Sequence, residues 1–279
     1  AFFAYSRGMS HADVAPPTLR RLVAIAVPMV LSQASETVMR FVDRLFLSWV
    51  GKVHIAASMS GGLSAFVFSA LFAGMVGYTN ALVAQYWGAG RRERCVQSVA
   101  QGIYLSILVV PMLIALIPLV EQMFVVMGHT DRQVELESAY FRILMAGSVF
   151  ILLRQTLAGF FLGIGKPRVV MTANIIGMLV NVPLNYVLIF GHFGVPALGI
   201  EGAAIGTVVG SAVIFVILLV SYLLHPVFRD FGGRAGIRPR RELMGRLARF
   251  GAPVGLELFL NVFAFNMFVQ LMHSMGEDV

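Results

Sequence analysis

Charge is scarce in this chain, with only 13% of its 279 residues Asp, Glu, Lys or Arg, against about 25% in an ordinary soluble domain. That scarcity excludes a water-exposed globular surface over most of the molecule. Cysteine is nearly absent too, and the single Cys95 rules out an internal disulfide and any Cys-rich metal centre. Long alternating apolar and polar stretches are missing, which excludes a strand-built membrane barrel. The apolar segments also lack an HExxH or paired-Asp cluster. The chain is therefore not expected to be an enzyme.

What is present is apolar length. Hydrophobic residues make up 58% of the sequence, and the mean hydropathy is +0.82. A bilayer core about 30 Å thick needs about 20 apolar residues per helix. Seven segments reach that length, at about 22–49, 54–86, 96–127, 136–163, 168–190, 199–224 and 247–275. Backbone polar groups in lipid must be satisfied within the segment, so these are predicted to be helices. The fold class is an all-α polytopic helical bundle, in contact with the lipid bilayer.

The net charge of +7 would point to nucleic acid in a soluble protein. Here its distribution follows the loops instead. One side carries Arg7, Arg20 and Arg21, then Arg91, Arg92 and Arg94, then Lys166 and Arg168, and finally Arg229, Arg234, Arg238, Arg240, Arg241, Arg246 and Arg249. The other side carries only Lys52 and Arg132. Fifteen against two places the N-terminus in the cytoplasm. Topology accounts for these charges, and no nucleic-acid partner is expected.

Residues 1–18 read as a cytoplasmic tail, residues 19–224 as a six-helix lobe, and residues 225–245 as a linker broken by Pro226, Gly232, Gly233, Gly236 and Pro239. Residues 246–279 read as the first helix of a second lobe. A repeat supports this division: Arg21, Leu22, Pro28, Leu31 and Gly51 recur 225 residues later as Arg246, Leu247, Pro253, Leu256 and Gly276. The restart predicts that the chain is part of a twelve-helix, two-lobe protein with about 170 further residues.

A cluster of motifs lies between the fifth and sixth segments. Asn181-Val-Pro183-Leu-Asn185-Tyr186 is followed by Phe193-Gly194-Val-Pro196-Ala-Leu-Gly199, and then by Gly202-Ala203-Ala204-Ile-Gly206-Thr207. Asn181 and Asn185 stand four residues apart on one helical face, while the small residues allow close helix approach. Phe41-Val42-Asp43, Ala84-Gln85-x-x-Gly88-Ala89-Gly90, Gly163-x-Gly165-Lys166 and Gly251-x-Pro253 complete an ordered set. Over residues 20–279 this set resembles the multidrug and toxic compound extrusion (MATE) family of secondary transporters.

Ionisable groups in apolar spans require a partner or a water path. Glu36, Arg40 and Asp43 share one helical face, so Arg40 is placed to bridge both acids. The resemblance implies that Asp43 is the membrane acid of the family, coupling to H⁺ or Na⁺ with polar help from Asn181, Asn185 and Thr207. Because position 185 is an amide, Asp43 would titrate alone or bind a cation through hard oxygen ligands suited to Na⁺. Beyond a Na⁺ ion at Asp43, no metal or other cofactor is implied. Glu257 and Asn261 are candidates for a second-lobe polar site, and Glu36 and Gln33 for polar positions in the substrate cavity. Arg142 and Arg154 are expected to hold inter-helix contacts or reach the interface. His54, His129, His192 and His225 are assigned to loops, and His273 to the end of the last helix.

These readings predict a cation-coupled antiporter in the plasma (inner) membrane, exporting small organic and amphipathic cationic compounds, and a monomer is expected. The alternatives are a lipid-linked glycan flippase of the same superfamily, for which Arg40, Arg44 and Arg154 would supply basic groups, and a bundle that transports nothing.

Overall fold

A computed structural model describes residues 19–275, with side chains except at positions 21, 234, 235 and 266–275. The tail 1–18, the repeat residue Gly276, and the side chains of Phe268 and His273 lie outside the described residues. The helices are α1 (Leu19–Val50), α2 (Lys52–Gly77), α3 (Thr79–Gly88), α4 (Arg92–Ala115), α5 (Ile117–Val126), α6 (Asp131–Gly163), α7 (Pro167–Phe190), α8 (Ile200–Leu223), α9 (Pro226–Phe231), α10 (Arg234–Ile237) and α11 (Arg241–Met275). Among the described residues, seven spans are long and apolar enough to cross a membrane, with α2 and α3 forming one of them.

Local chemistry explains where the helices depart from the apolar runs. The third run divides at Leu116, just before Pro118. Proline lacks the N–H that would continue the ladder, and its ring crowds the carbonyl one turn back. α6 starts five residues ahead of its apolar run because the Thr130 side chain caps it, accepting from the Gln133 amide at 3.4 Å. Between α7 and α8 the chain reverses through Gly191 at φ 76° and Gly199 at φ 53°. A Cβ at Gly191 would stand 2.6 Å from the Ala197 nitrogen, so this turn needs glycine on steric grounds as well.

α1 lies along α7, α7 along α8, α8 along α6, α6 along α2, and α2 along α11, while α4 fills the back of the bundle against α6 and α3. Phe124, Phe141, Phe160 and Phe161 are fully buried at the centre of the apolar packing. Outward faces carry exposed residues such as Leu108, Leu179 and Val216, as a lipid-facing surface requires.

The arginine-rich stretch after α8 is more ordered than its Pro and Gly content predicts. It folds into α9 and α10 and docks on α4. Tyr104 Oη donates to the Ile237 carbonyl at 2.7 Å, Gln101 Nε2 donates to the Arg238 carbonyl at 3.1 Å, and the Arg240 amide donates to Gln101 Oε1 at 3.0 Å. Lys166 Nζ donates to His225 Nε2 at 3.0 Å. Burial, Lys166 and Arg92 hold the His225 imidazole below its ordinary pKa range, which keeps it a neutral acceptor. α11 begins at Arg241, with Glu242 in its first turn favouring the positive helix end.

Candidate functional site

α1 and α7 run parallel with a constant register of 142 residues. Ser32 faces Asn174 and Asp43 faces Asn185, which puts Met39 opposite Asn181. On α7, Asn174, Asn181 and Asn185 recur at spacings of seven and four, so all three present one face to α1. The apolar bundle thus contains a polar seam with two centres, separated along α1 by seven residues or about 10 Å.

The first centre is Asp43, 8% exposed, with Asn181 and Asn185 fully buried beside it. Asn185 Nδ2 donates to Asp43 Oδ1, and Thr207 Oγ1 reaches Asp43 Oδ2 at 3.3 Å. The Thr207 hydroxyl also lies 3.0 Å from the Ala203 carbonyl, so its single proton is shared between two acceptors. Asn185 Nδ2 additionally approaches Asn181 Oδ1 at 3.4 Å. Asp43 forms no ion pair among the described residues. Two amide atoms at this centre, Asn181 Nδ2 and Asn185 Oδ1, are buried without a hydrogen-bond partner. A buried carboxylate among amides with unused capacity is equipped to take up a proton or a small cation.

Glycines of α8 make room for both amides. A Cβ at Gly206 would overlap Asn185 Oδ1, and one at Gly210 would stand 3.1 Å from Asn181 Cβ and 3.4 Å from Met39 Cε. Tyr140 of α6, 8% exposed, lies near enough to feel the charge of Asp43, with its ring beside Gly61 and Gly62 of α2. Sequence reasoning missed Tyr140, and no local motif marks it.

The second centre is Glu36. Its Oε1 accepts from Arg154 Nη1 at 3.0 Å and from Asn174 Nδ2 at 3.4 Å, and its Oε2 accepts from Arg40 Nη2 at 3.1 Å. Asn174 Nδ2 also donates to Ser32 Oγ at 2.6 Å. Beside this group a cavity of about 170 Å³ opens between α1, α6, α7 and α8, lined by Gln33, Glu36, Arg154, Gln155 and Asn174 among apolar side chains. Arg154 Nε is buried and unpartnered there.

Arg40 therefore does not bridge two acids. It binds Glu36 alone, 65% exposed, while α7 and α8 engage Asp43. Arg154 is the inter-helix partner of Glu36, and Arg142 pairs with Glu121 across α5 and α6. Glu257 and Asn261 lie on the exposed side of α11 with no side-chain hydrogen bond or ion pair among the described residues, and the fold does not bring them to Asp43. His54 belongs to the first turn of α2 rather than to a loop, and His129 Nδ1 binds the buried Glu137 at 2.9 Å.

The MatE family model matches residues 28–187, a range that contains Asp43, Asn181 and Asn185. A multidrug resistance MATE family transporter of the MOP superfamily, solved in an outward-facing conformation, is 27% identical with a TM-score of 0.75, over 86% of this chain and 52% of that one. A MATE crystallised in complex with MaL6 is 25% identical with a TM-score of 0.79, over 93% of this chain and 57% of that one. A MOP superfamily transporter from Pyrococcus furiosus, described as having a binding pocket of reverse polarity, is 26% identical with a TM-score of 0.73, over 86% and 52%. The chain spans about half the length of the transporters it matches. A family match over more than half of the sequence, joined to seven apolar spans in the same arrangement, establishes the chain as a multi-pass helical membrane protein of the MatE family, a six-helix MATE-type lobe followed by a seventh helix.

Proposed function

We propose that this protein is the cation-coupled half of an antiporter that exports organic, amphipathic cationic compounds in exchange for H⁺ or Na⁺. The observation that carries the reading is Asp43. It is a carboxylate buried within a membrane span, hydrogen-bonded by Asn185 and Thr207, without an ion-pair partner among the described residues, and adjacent to two unsatisfied amide atoms. A cation or proton at Asp43 changes the charge of the α1, α7 and α8 contact. Occupancy therefore biases the bundle between conformations, provided that the two differ in affinity for the ion. For Na⁺, the ligands would be the Asp43 carboxylate, the Asn181 and Asn185 amide oxygens and the Thr207 hydroxyl, a hard oxygen set.

The cavity beside Glu36 serves as this lobe's share of the substrate path, and its apolar walls suit an amphipathic ligand. Of Arg40, Arg44 and Arg154, the basic groups a flippase would use, Arg154 alone lines this cavity and it pairs with Glu36, which weighs against the flippase reading. The fifteen-to-two bias of basic residues supports a cytoplasmic N-terminus; we place the protein in the plasma membrane and take the working unit to be a monomer.

The test is Asp43→Asn in proteoliposomes energised only by a proton or Na⁺ gradient. Export of a cationic dye falls to the protein-free background, at unchanged reconstitution level. Export at the wild-type rate would contradict the proposal.

A further inference from the structure

A second cavity, of about 270 Å³, lies at the arginine-poor end of the bundle. Its position relative to Asp43 follows from four helices. Asp43, Asn185 and Thr207 form the coupling centre on α1, α7 and α8, with Tyr140 of α6 near enough to feel the Asp43 charge. The cavity is walled by Val50, Leu136, Ile189 and Ile200 of the same four helices. Each lies four to seven residues further toward the same end, which is about 6–10 Å at the helical rise. The cavity therefore lies beyond the coupling centre toward that end, framed by the same four helices. Its floor is apolar: Leu136, Ile189 and Ile200 are 7%, 2% and 1% exposed.

The rim is charged. Glu135 pairs with Arg132 at 2.6 Å. The Glu201 side chain, in the first turn of α8, makes no hydrogen bond or ion pair among the described residues. One arginine against two carboxylates leaves the mouth with a net negative charge. His54 adds a ring nitrogen, Nδ1, that is buried without a partner, and its ring abuts Gly199, where a Cβ would lie 3.4 Å from Cε1. A concave, acid-rimmed mouth over an apolar floor concentrates small cations and repels anions.

The geometry points to this cavity as the entrance through which the coupling cation, a proton or another small monovalent ion, reaches Asp43, with Glu201 as the attracting carboxylate and His54 as the first inner acceptor. The inference rests on the coupling role of Asp43 proposed above. A purely structural part for Glu201, favouring the positive end of α8, would affect stability but not the rate at which Asp43 is reached.

The test separates the two. The protonated carboxylic C=O stretch is followed by rapid-mixing infrared difference spectroscopy on the purified chain after a drop in pH, with Asp43→Asn identifying the band. Glu201→Gln slows appearance of the band about tenfold without changing its final amplitude, Glu201→Asp restores the rate, and Ala139→Phe, which fills the cavity, slows it further. A wild-type rate in both Glu201→Gln and Ala139→Phe overturns the entrance while leaving Asp43 as the coupling acid. A band that persists in Asp43→Asn overturns both readings.

Discussion

Gly206 sets how closely α8 can approach the amides of α7, because any side chain there would occupy the space of Asn185 Oδ1. Gly206→Ala therefore pushes Asn185 off Asp43. It is expected to lower stability by about 1–3 kcal/mol, as overpacking of a filled core does. Gly210→Ala, whose nearest neighbours stand at 3.1 Å and beyond, has the smaller effect. Thermal unfolding in detergent measures both, and equal stabilities would mean that Asn185 is not held as described. At this scale the sequence was partly legible. Asp43, Asn181, Asn185 and Thr207 could be named from motifs, and all four meet at one centre. Asn174 was within reach as well, since it stands seven residues before Asn181 on the same face. The pairing of Glu36 with Arg154 was not legible, because the partners are 118 residues apart and helical spacing favoured the nearer Arg40.

Between elements, α2 and α11 approach one another closely. A Cβ on Gly74 would overlap Gly255, one on Gly255 would overlap the Leu71 carbonyl, and one on Gly251 would lie 2.7 Å from the Met75 carbonyl. Tyr78 and Phe250 stack at 5.9 Å at the edge of the crossing. Small residues matter here because helices in lipid gain no hydrophobic drive from meeting and rely on close packing. Gly255→Val is expected to separate the two helices and remove hydrogen-exchange protection from α11, whereas Gly245→Ala, with open space around it, leaves protection unchanged. Protection retained in Gly255→Val would show that α11 is held elsewhere, for instance by the linker contacts on α4. The spans themselves could be read from apolar length alone. Their ends could not, because capping by Thr130 and docking of the arginine-rich stretch on Gln101 and Tyr104 depend on single side chains and distant carbonyls.

Across the whole molecule, charge is sorted by end, with arginines and Lys166 gathered on the linker side and the acid-rimmed cavity on the other. The polar seam between α1 and α7 lies along the line joining them. The repeat at an offset of 225 pairs Glu36 with Asn261 and Asp43 with Phe268. Asp43 thus has no acid at the matching position of the second copy. Central to this account is that substrate and cation compete through Asp43, and linkage requires each to weaken the other's binding by the same factor. The direct measurement is ion release on substrate addition: the detergent-purified protein, saturated with H⁺ or Na⁺ in weak buffer, receives a cationic dye while a pH indicator or a Na⁺ electrode records the displaced ion. The wild-type protein is expected to release the ion as the dye binds, and Asp43→Asn to bind the dye with no release. Equal release from both proteins would contradict the assignment of coupling to Asp43.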